Sequence, residues 1–322
     1  MRFYGVDRQT ARFAVQALRA SPPGLAREDE DRRRVFGSAL EQFDQLLVAA
    51  EAVGPATAPI PLFYAFSQGG RAFAAARIIG GGWRPRAHGL SVGDPGTTIG
   101  DTVLTPSRGR LGSFQLFCRS IGSGALTGPA TLSAVWAAVG RYRAVEGLGA
   151  GEPATTDAMI IGDGAPGHIV LEGAVADDLP EDPELQATVL RERLRVFSAG
   201  GEGVRLAPDR WPNQSFAVPR VEVYWERDGE TRAAREIVSP RIAGERSGFV
   251  LRPALGAQRD VLHPVAAMYA TWLALSSLAR YHPAAWREAL ERDSAATAVA
   301  IEEAIDLALE LLAYSFKELL TD

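Results

Sequence analysis

The N-terminal part of the chain carries the hydrophobic spacing of amphipathic helices. Apolar residues recur at intervals of three and four along one helical face, at Phe36, Leu40, Phe43, Leu47 and Ala50. The charged run 27–34 indicates a solvated start for this helix, and Gly54-Pro55 would end it. A shorter helix is predicted before it, with Asp7 as its N-cap and Leu18 near its end.

Two further segments are apolar around nearly their whole circumference, which predicts buried helices at residues 61–79 and 264–281. The first has Gly69-Gly70 in its middle, a pair that indicates close approach of another helix. The second carries Ser276 and Arg280 one turn apart, and a buried guanidinium needs a partner, a ligand or a route to water. We expect the two helices to pack directly against each other. The polar side of the first helix comprises Tyr64, Ser67, Gln68, Arg71 and Ala75.

The middle of the chain has the pattern of mixed strands and helices. Residues 80–96 are rich in glycine and are predicted to form a loop. A last helix is predicted with Ser294 as its cap. Strands are predicted at 101–106, 113–122 and 248–255, two-stranded hairpins at 158–173 and 219–238, and helices at 131–145 and 183–197.

This order of elements favours an α+β fold, with terminal helices packed as one bundle and a mixed, mostly β insert in the middle. The predicted parts are residues 1–96 for the N-terminal helices, 97–255 for the insert and 256–322 for the C-terminal helices. Together they would form one composite domain. The sequence has no internal repeat and no low-complexity linker.

Composition is that of an ordinary globular protein, with 47% hydrophobic and 23% charged residues. The formal net charge of −5 gives no overall attraction for nucleic acid or anionic membranes, so such binding would need a local patch. Positive charge is almost all arginine, since Lys317 is the only lysine. Cys118 alone cannot form an intramolecular disulfide, and neither a signal peptide nor an uncharged apolar run of about 18 residues is present. We expect a soluble cytoplasmic protein without membrane association.

Two glycine motifs match functional patterns but lack the required context. Residues 89–93 satisfy GxSxG, yet the flanking WRPRAH and DPGTTIG supply neither the strand nor the helix of a nucleophile elbow. Residues 162–167 satisfy GxGxxG, but a predicted strand follows where a dinucleotide fold needs a helix, so a hairpin turn is favoured. We predict no metal site and no cofactor, because the chain has one cysteine, no HExxH, no Walker loop and scattered histidines at His88, His168, His263 and His282.

The remaining candidates are polar residues in apolar surroundings. On a structural interpretation, the arginines pair with buried carboxylates or cap helix ends. On a functional one, two arginines and a histidine converge on an anion such as phosphate. The sequence leaves both open. The set is Gln68, Arg71, Arg84, Arg86, His88, Ser276, Arg280, Tyr281 and His282.

Several stretches resemble the YaaC-like proteins of bacteria: PLFYAFSQGGRAFAAARI, AHGLSV, GSFQLF and HPVAAMYATWLALSSLARYHPAAW. The resemblance runs from about Glu41 to Trp286, in short pieces through the middle. The family has no established activity, so the resemblance implies relatives and no mechanism. The polar positions that match its pattern are Arg71, His88, Arg280, Tyr281 and His282.

The helix FYAFSQGGRAFAAA is also similar to the second helix of HEPN-type bundles, many of which are ribonucleases or nucleic-acid-associated defence and toxin proteins. That resemblance implies a HEPN-like helical bundle. The arginines that precede His88, His263 and His282 lie closer to them than the catalytic motif of those bundles requires. The resemblance therefore implies a non-catalytic bundle more than a metal-independent ribonuclease.

We predict that the protein binds an anionic ligand, a nucleotide or RNA, through arginines between the helices and the insert. The predicted ligand-binding residues are Arg71, Gln68, His88, Arg280 and Tyr281. Two alternatives stay open. A divergent HEPN-like ribonuclease of a defence or toxin system would use His282 or His88 as its general base. A non-catalytic scaffold, binding a second copy or another protein, would use its arginines for internal pairing.

Overall fold

The chain divides into two compact units, one joining Met1–Glu152 to Leu255–Asp322 and one comprising Pro153–Ala254. Helices dominate the first unit and an antiparallel sheet the second, so the predicted α+β class is confirmed. Residues 97–152, placed in the insert by the sequence analysis, belong to the first unit. The computed structural model describes residues 7–107, 111–139, 148, 156–161, 168–207, 219–227, 229–233, 238–240, 249–256, 261–291 and 295–321.

Four helices open the first unit, and the predicted N-terminal helices are confirmed. Asp7 caps the first by accepting a hydrogen bond from Thr10 N at 3.0 Å, and Asp29 caps the third by accepting one from Arg32 N at 3.0 Å. The predicted apolar stripe of the third helix is buried. The bounds are α1 Arg8–Ala17, α2 Leu25–Glu28, α3 Glu30–Ala52 and α4 Pro59–Arg77.

Three helices close the first unit: α8 Pro264–Tyr281, α9 Pro283–Glu291 and α10 Ala295–Thr321. The expected direct packing of the two apolar helices is confirmed, because α4 packs against α8. The helix α4 also contacts α3 and α10, and α1 packs along α10. The last helix therefore packs beside the two apolar ones, as the sequence predicts, whereas the first helix packs on α3 and α10 instead.

The centre of this packing is aromatic. The ring of Phe316 from α10 stacks on Phe43, with centroids 4.9 Å apart, and meets Phe73 edge-on at 5.2 Å. A Cβ at Gly69 would lie 1.8 Å from Phe316 Cε2, whereas a Cβ at Gly70 would lie 3.5 Å from the Tyr269 ring. The sequence analysis expected the helix 264–281 to approach the glycine pair. The tightest approach is instead made by Phe316 of the last helix, at Gly69 alone.

A small antiparallel sheet and two short helices complete the first unit. The sheet has the order β1-β2-β3, so the prediction of an unbroken loop at residues 80–96 is wrong at residues 90–92. The bounds are β1 Leu90–Val92, β2 Val103–Pro106, α5 Ser113–Ser120, β3 Ala130–Thr131 and α6 Leu132–Ala137. The last of these confirms the beginning of the helix predicted at 131–145.

The prediction of a strand at residues 113–122 is wrong, because the segment forms α5. A run this short is ambiguous between strand and helix by periodicity alone. Phe114 and Phe117, three residues apart, are both buried and both contact the Tyr269 ring. Gly112 begins the helix, with its N–H donating to the Gln115 side chain at 3.0 Å, and Gly122 follows it with φ of 66°. Tertiary contact with Tyr269 selects the helical form.

Among its described residues, the second unit has an antiparallel sheet of order β6-β7-β5-β4-β10-β9, with β8 pairing β7, and a helix packed on it. Leu190 and Leu194 of the helix pack with Ile169, Val223 and Trp225 from the sheet. The predicted strand pairs within 158–173 and 219–238, the helix at 183–197 and the strand at 248–255 are confirmed. The bounds are β4 Thr156–Ile161, β5 His168–Glu172, α7 Pro183–Leu194, β6 Val204–Leu206, β7 Arg220–Arg227, β8 Glu230–Thr231, β9 Ser239–Pro240 and β10 Phe249–Leu251.

Three sequence predictions fall on residues outside the described ranges. They are the turn formed by the GxGxxG motif at 162–167, Asp228 of the second hairpin turn, and Ser294 as the cap of the last helix.

The two adjacent glycines of α4 provide a matched test of the packing. We expect Gly69→Ala to lower the free energy of unfolding by about 1–3 kcal/mol, because the methyl group must displace a stacked Phe316 ring. Gly70→Ala should be neutral or stabilise by up to about 1 kcal/mol, since its methyl group meets only ordinary contacts and alanine favours the helix. Urea denaturation of both variants measures the difference. Equal effects at the two positions would contradict the assigned packing.

Candidate functional site

One face of α4 presents the polar side chains of the candidate site. Tyr64, Gln68 and Arg71 are four and three residues apart, so they lie on the same side of the helix. The remaining sides of α4 are buried against α3, α5, α8 and α10. Gln68 is half-buried and Arg71 is exposed. Within the described part of the chain, neither side chain forms a hydrogen bond or ion pair, so both are available to a ligand.

Arg280 lies in the last turn of α8 and reaches the same face of α4. Its Nε donates to the Ser276 carbonyl at 3.1 Å, and its Nη1 donates to the Tyr64 hydroxyl at 3.4 Å. Its guanidinium carbon also lies 4.9 Å from the Tyr281 ring centroid. A positive charge at a helix C-terminus is favourable because the last carbonyls carry partial negative charge. Arg280 is therefore held in place by neutral groups.

The expectation of a buried Arg280 is wrong, since the residue is half-exposed. The helix α8 is apolar nearly all round, but Arg280 occupies its C-terminal end, where the chain returns to the surface. The exposure of Arg280 is decided by its position along the helix. A helical projection of the sequence shows only the position around the helix.

His88 is fixed through its backbone by the start of α5. The Phe114 N–H and the Ser113 hydroxyl both donate to the His88 carbonyl, at 3.0 and 3.1 Å. The Ser113 hydroxyl in turn accepts from the buried Tyr269 hydroxyl at 2.8 Å. Burial raises the pKa of Tyr269 to about 12, so this hydroxyl remains a donor at neutral pH. The imidazole ring stands edge-on to Phe63, with ring centroids 5.1 Å apart.

The first glycine of the GxSxG motif has a backbone role. Gly89 has φ of 88°, and a Cβ there would lie 1.9 Å from Gln115 Oε1. Ser91 lies on β1, and its hydroxyl donates to the Thr105 carbonyl at 3.3 Å. No helix follows the serine, so the segment is not a nucleophile elbow.

The charges of Arg71 and Arg280 both act on His88, and these three residues are hereafter the arginine–histidine cluster. Partial burial lowers the pKa of His88, and the positive charges of Arg280 and Arg71 lower it further. His88 is therefore mainly neutral at pH 7. Among the described residues, no carboxylate forms an ion pair with either arginine. The cluster thus holds two uncompensated positive charges beside a histidine that can accept a third.

Other predicted polar residues are placed differently. Arg84 pairs with Asp31 and lies 4.8 Å from the Trp83 ring, which fits the structural interpretation for that arginine. Arg86 is exposed and is not among the charges that act on His88. His282 follows α8, and its Nε2 lies 3.5 Å from Asp94 Oδ1.

Of the predicted ligand-binding residues, Arg71 and Arg280 lie close enough to His88 to lower its pKa, Gln68 shares a helix face with Arg71, and Tyr281 flanks Arg280. All lie within the first unit.

Sequence reasoning did not assign roles to Tyr64, Ser113 or Tyr269, which position the cluster. Tyr64 had been placed on the polar stripe, and Tyr269 could have been noticed as a hydroxyl within an otherwise apolar helix. Ser113 carried no local signal, because its role depends on two residues that are distant in sequence.

Two other kinds of site find no support in the described residues. No group of three histidine, cysteine, aspartate or glutamate side chains in the described ranges is arranged to hold a metal ion. Cys118 is buried, and burial raises the pKa of its thiol, so it is not an activated nucleophile.

Comparison with known proteins identifies one family. No described helix is long and apolar enough to cross a membrane. No curated protein and no solved structure matches the chain. The family described as YaaC-like Protein matches residues 8–320, which includes every member of the arginine–histidine cluster and nearly the whole sequence. The chain therefore belongs to the YaaC-like protein family.

Proposed function

We propose that the protein binds a phosphate-bearing anion at the arginine–histidine cluster, with Gln68 and Tyr281 as further ligand contacts. One observation carries the proposal: two guanidinium groups act on the same imidazole, with no described carboxylate to neutralise them. Arg84 differs from both arginines, because it pairs with the carboxylate of Asp31. An anion beside Arg71 and Arg280 would accept charge-assisted hydrogen bonds from both.

The hydrogen-bond partners of the arginines also favour anion binding, because they leave the positive charges uncancelled. Arg280 is oriented by the Tyr64 hydroxyl and the Ser276 carbonyl, neither of which cancels its charge. None of the Arg71 N–H groups is hydrogen-bonded to a described residue, so all of them can donate to a ligand. Because the guanidinium fork matches two oxygens of a phosphate group, each arginine can contribute a bidentate contact.

The alternative functions make different demands on the same residues. A scaffold would use its arginines to pair with carboxylates or to cap helix ends. Arg280 makes a contact of the second kind with the Ser276 carbonyl, whereas Arg71 makes neither among the described residues. A HEPN-like ribonuclease requires His88 or His282 to accept a proton from RNA. Arg71 and Arg280 lower the pKa of His88, which makes it a weaker base. We therefore assign ligand binding, and treat RNA cleavage as the outcome that would overturn it.

The first prediction concerns the two arginines. Arg71→Ala and Arg280→Ala should each weaken inorganic phosphate binding by about ten- to hundredfold, the loss typical of a charge-assisted hydrogen bond. Arg280→Lys should not restore it, because an ammonium lacks the planar fork. Isothermal titration of phosphate at low salt measures this, and added salt should weaken wild-type binding.

Arg86→Ala is the matched control, because it removes an exposed arginine near His88 in the sequence that does not act on His88. Since Arg280 is half-exposed, none of these variants should alter the unfolding temperature markedly. Equal losses in Arg86→Ala and Arg71→Ala would show that only overall charge matters. Unchanged phosphate binding in both cluster variants would refute the assigned site.

The second prediction is a dependence on pH. The pKa of His88 is lowered in the free protein, and a bound anion should raise it by offsetting the charges of Arg71 and Arg280. Binding then takes up a proton, so affinity rises as the pH falls below neutrality. The gain is about tenfold for each unit by which the anion raises that pKa.

Sulfate is the suitable probe, because its own charge is constant across this range. His282 is the matched histidine for comparison, because it lies beside Asp94 at the end of the helix that carries Arg280. His88→Gln should therefore abolish most of the dependence, while His282→Gln should leave it. A dependence that survives in His88→Gln would assign the proton to another group.

The third prediction separates a binder from an enzyme. Purified wild-type protein should leave RNA intact during prolonged incubation in the presence of a chelator. If His88 or His282 were a general base, cleavage would occur and the alanine variant would be slower by about two to four orders of magnitude. Gel analysis of a labelled oligonucleotide decides this, and cleavage lost in His282→Ala or His88→Ala would establish the ribonuclease.

A further inference from the structure

The number of positive charges in the cluster indicates how much negative charge its ligand carries. Arg71 and Arg280 supply two charges at any pH near neutrality, and His88 can add a third. A phosphate monoester carries about −1.5 to −2 charges at pH 7, whereas each internal phosphodiester of RNA carries one. Two guanidinium groups therefore match the dianion of a terminal phosphate better than a single backbone phosphate.

Tyr281 provides an aromatic surface directly beside these charges. The residue is 66% exposed, although it directly follows Arg280 at the end of a buried helix. The guanidinium carbon of Arg280 lies 4.9 Å from the ring centroid, so the ring is held by a cation–π contact. No other aromatic ring in the described residues packs on Tyr281. Most of the ring surface is therefore free to stack with a flat ligand group, beside the arginine that would hold the phosphate.

Gln68 adds a neutral donor and acceptor on the same helix face. It lies between Tyr64 and Arg71 on the stripe of α4, half-buried, and its amide has no hydrogen-bond partner among the described residues. An amide in this position can hydrogen-bond a sugar hydroxyl or a phosphate oxygen. The site thus combines a cationic part, a neutral polar part and an exposed aromatic ring.

We infer that the ligand is a nucleoside 5′-phosphate, with its phosphate monoester at Arg71 and Arg280 and its base stacked on Tyr281. This inference rests on the proposed anion-binding function and adds the chemical class of the ligand. Every base can stack on one aromatic face. The site would therefore distinguish a nucleotide from a phosphate without a base, but would distinguish less between the bases.

The test compares four probes by isothermal titration of the full chain: adenosine 5′-monophosphate, ribose 5-phosphate, inorganic phosphate, and an RNA oligonucleotide without terminal phosphates. We expect adenosine 5′-monophosphate to bind about five- to hundredfold more tightly than ribose 5-phosphate, the range for stacking of one base. Tyr281→Ala should remove that difference, so that adenosine 5′-monophosphate and ribose 5-phosphate bind the variant with equal affinity. Tyr281→Phe retains the ring and should restore the wild-type preference.

The outcomes distinguish this inference from the proposed function. Equal affinity for adenosine 5′-monophosphate and ribose 5-phosphate would overturn the stacking inference while phosphate binding stood. Tighter binding of the oligonucleotide than of adenosine 5′-monophosphate would overturn it in favour of an RNA ligand. If none of the phosphates bound, the proposed function and the inference would both fail.

Discussion

The close contact between Gly69 of α4 and the Phe316 ring of α10 is the constraint on which the first unit depends. The ring occupies the space that a side chain at Gly69 would need, and it also stacks on Phe43 of α3. Three helices are thereby fixed at one point. Since α4 cannot rotate without losing this contact, its polar stripe must face away from the aromatic centre. The orientation of Tyr64, Gln68 and Arg71 is a consequence of packing on the opposite side of their helix.

A second link runs from the aromatic centre to the cluster itself. Tyr269 packs among phenylalanines, yet its hydroxyl donates to Ser113, which donates to the His88 carbonyl. Burying a hydroxyl without a hydrogen bond costs free energy, so these two hydrogen bonds stabilise the core and also position the backbone of His88. Tyr269 and His88 are connected by two hydrogen bonds that share the Ser113 hydroxyl. The same core therefore positions both His88 and Arg71, although His88 lies outside any helix or strand.

The sequence predicted the helices well because their signals are local. The stripe in α3, the caps at Asp7 and the two apolar helices depend on spacing that neighbouring residues determine. The short segment 113–122 was misread because contact with Tyr269 decides its form. Among the polar residues, the sequence named candidates but not their environments. Whether Arg84 pairs with Asp31 or remains free like Arg71 depends on residues about fifty positions apart, which no local pattern contains.

The cluster is a positively charged spot on a chain whose formal net charge is −5. At physiological ionic strength, charges are screened over about 8 Å, so a small anion at the cluster senses mainly the two guanidinium groups. A long polyanion extends over several such lengths and meets the rest of a negatively charged molecule. Under the proposed function, the local field would accelerate the encounter with a small anion, while the distant field would slow the approach of a large one. Size discrimination of this kind would need no steric gate, because it would follow from the position of two arginines that pair with no described carboxylate.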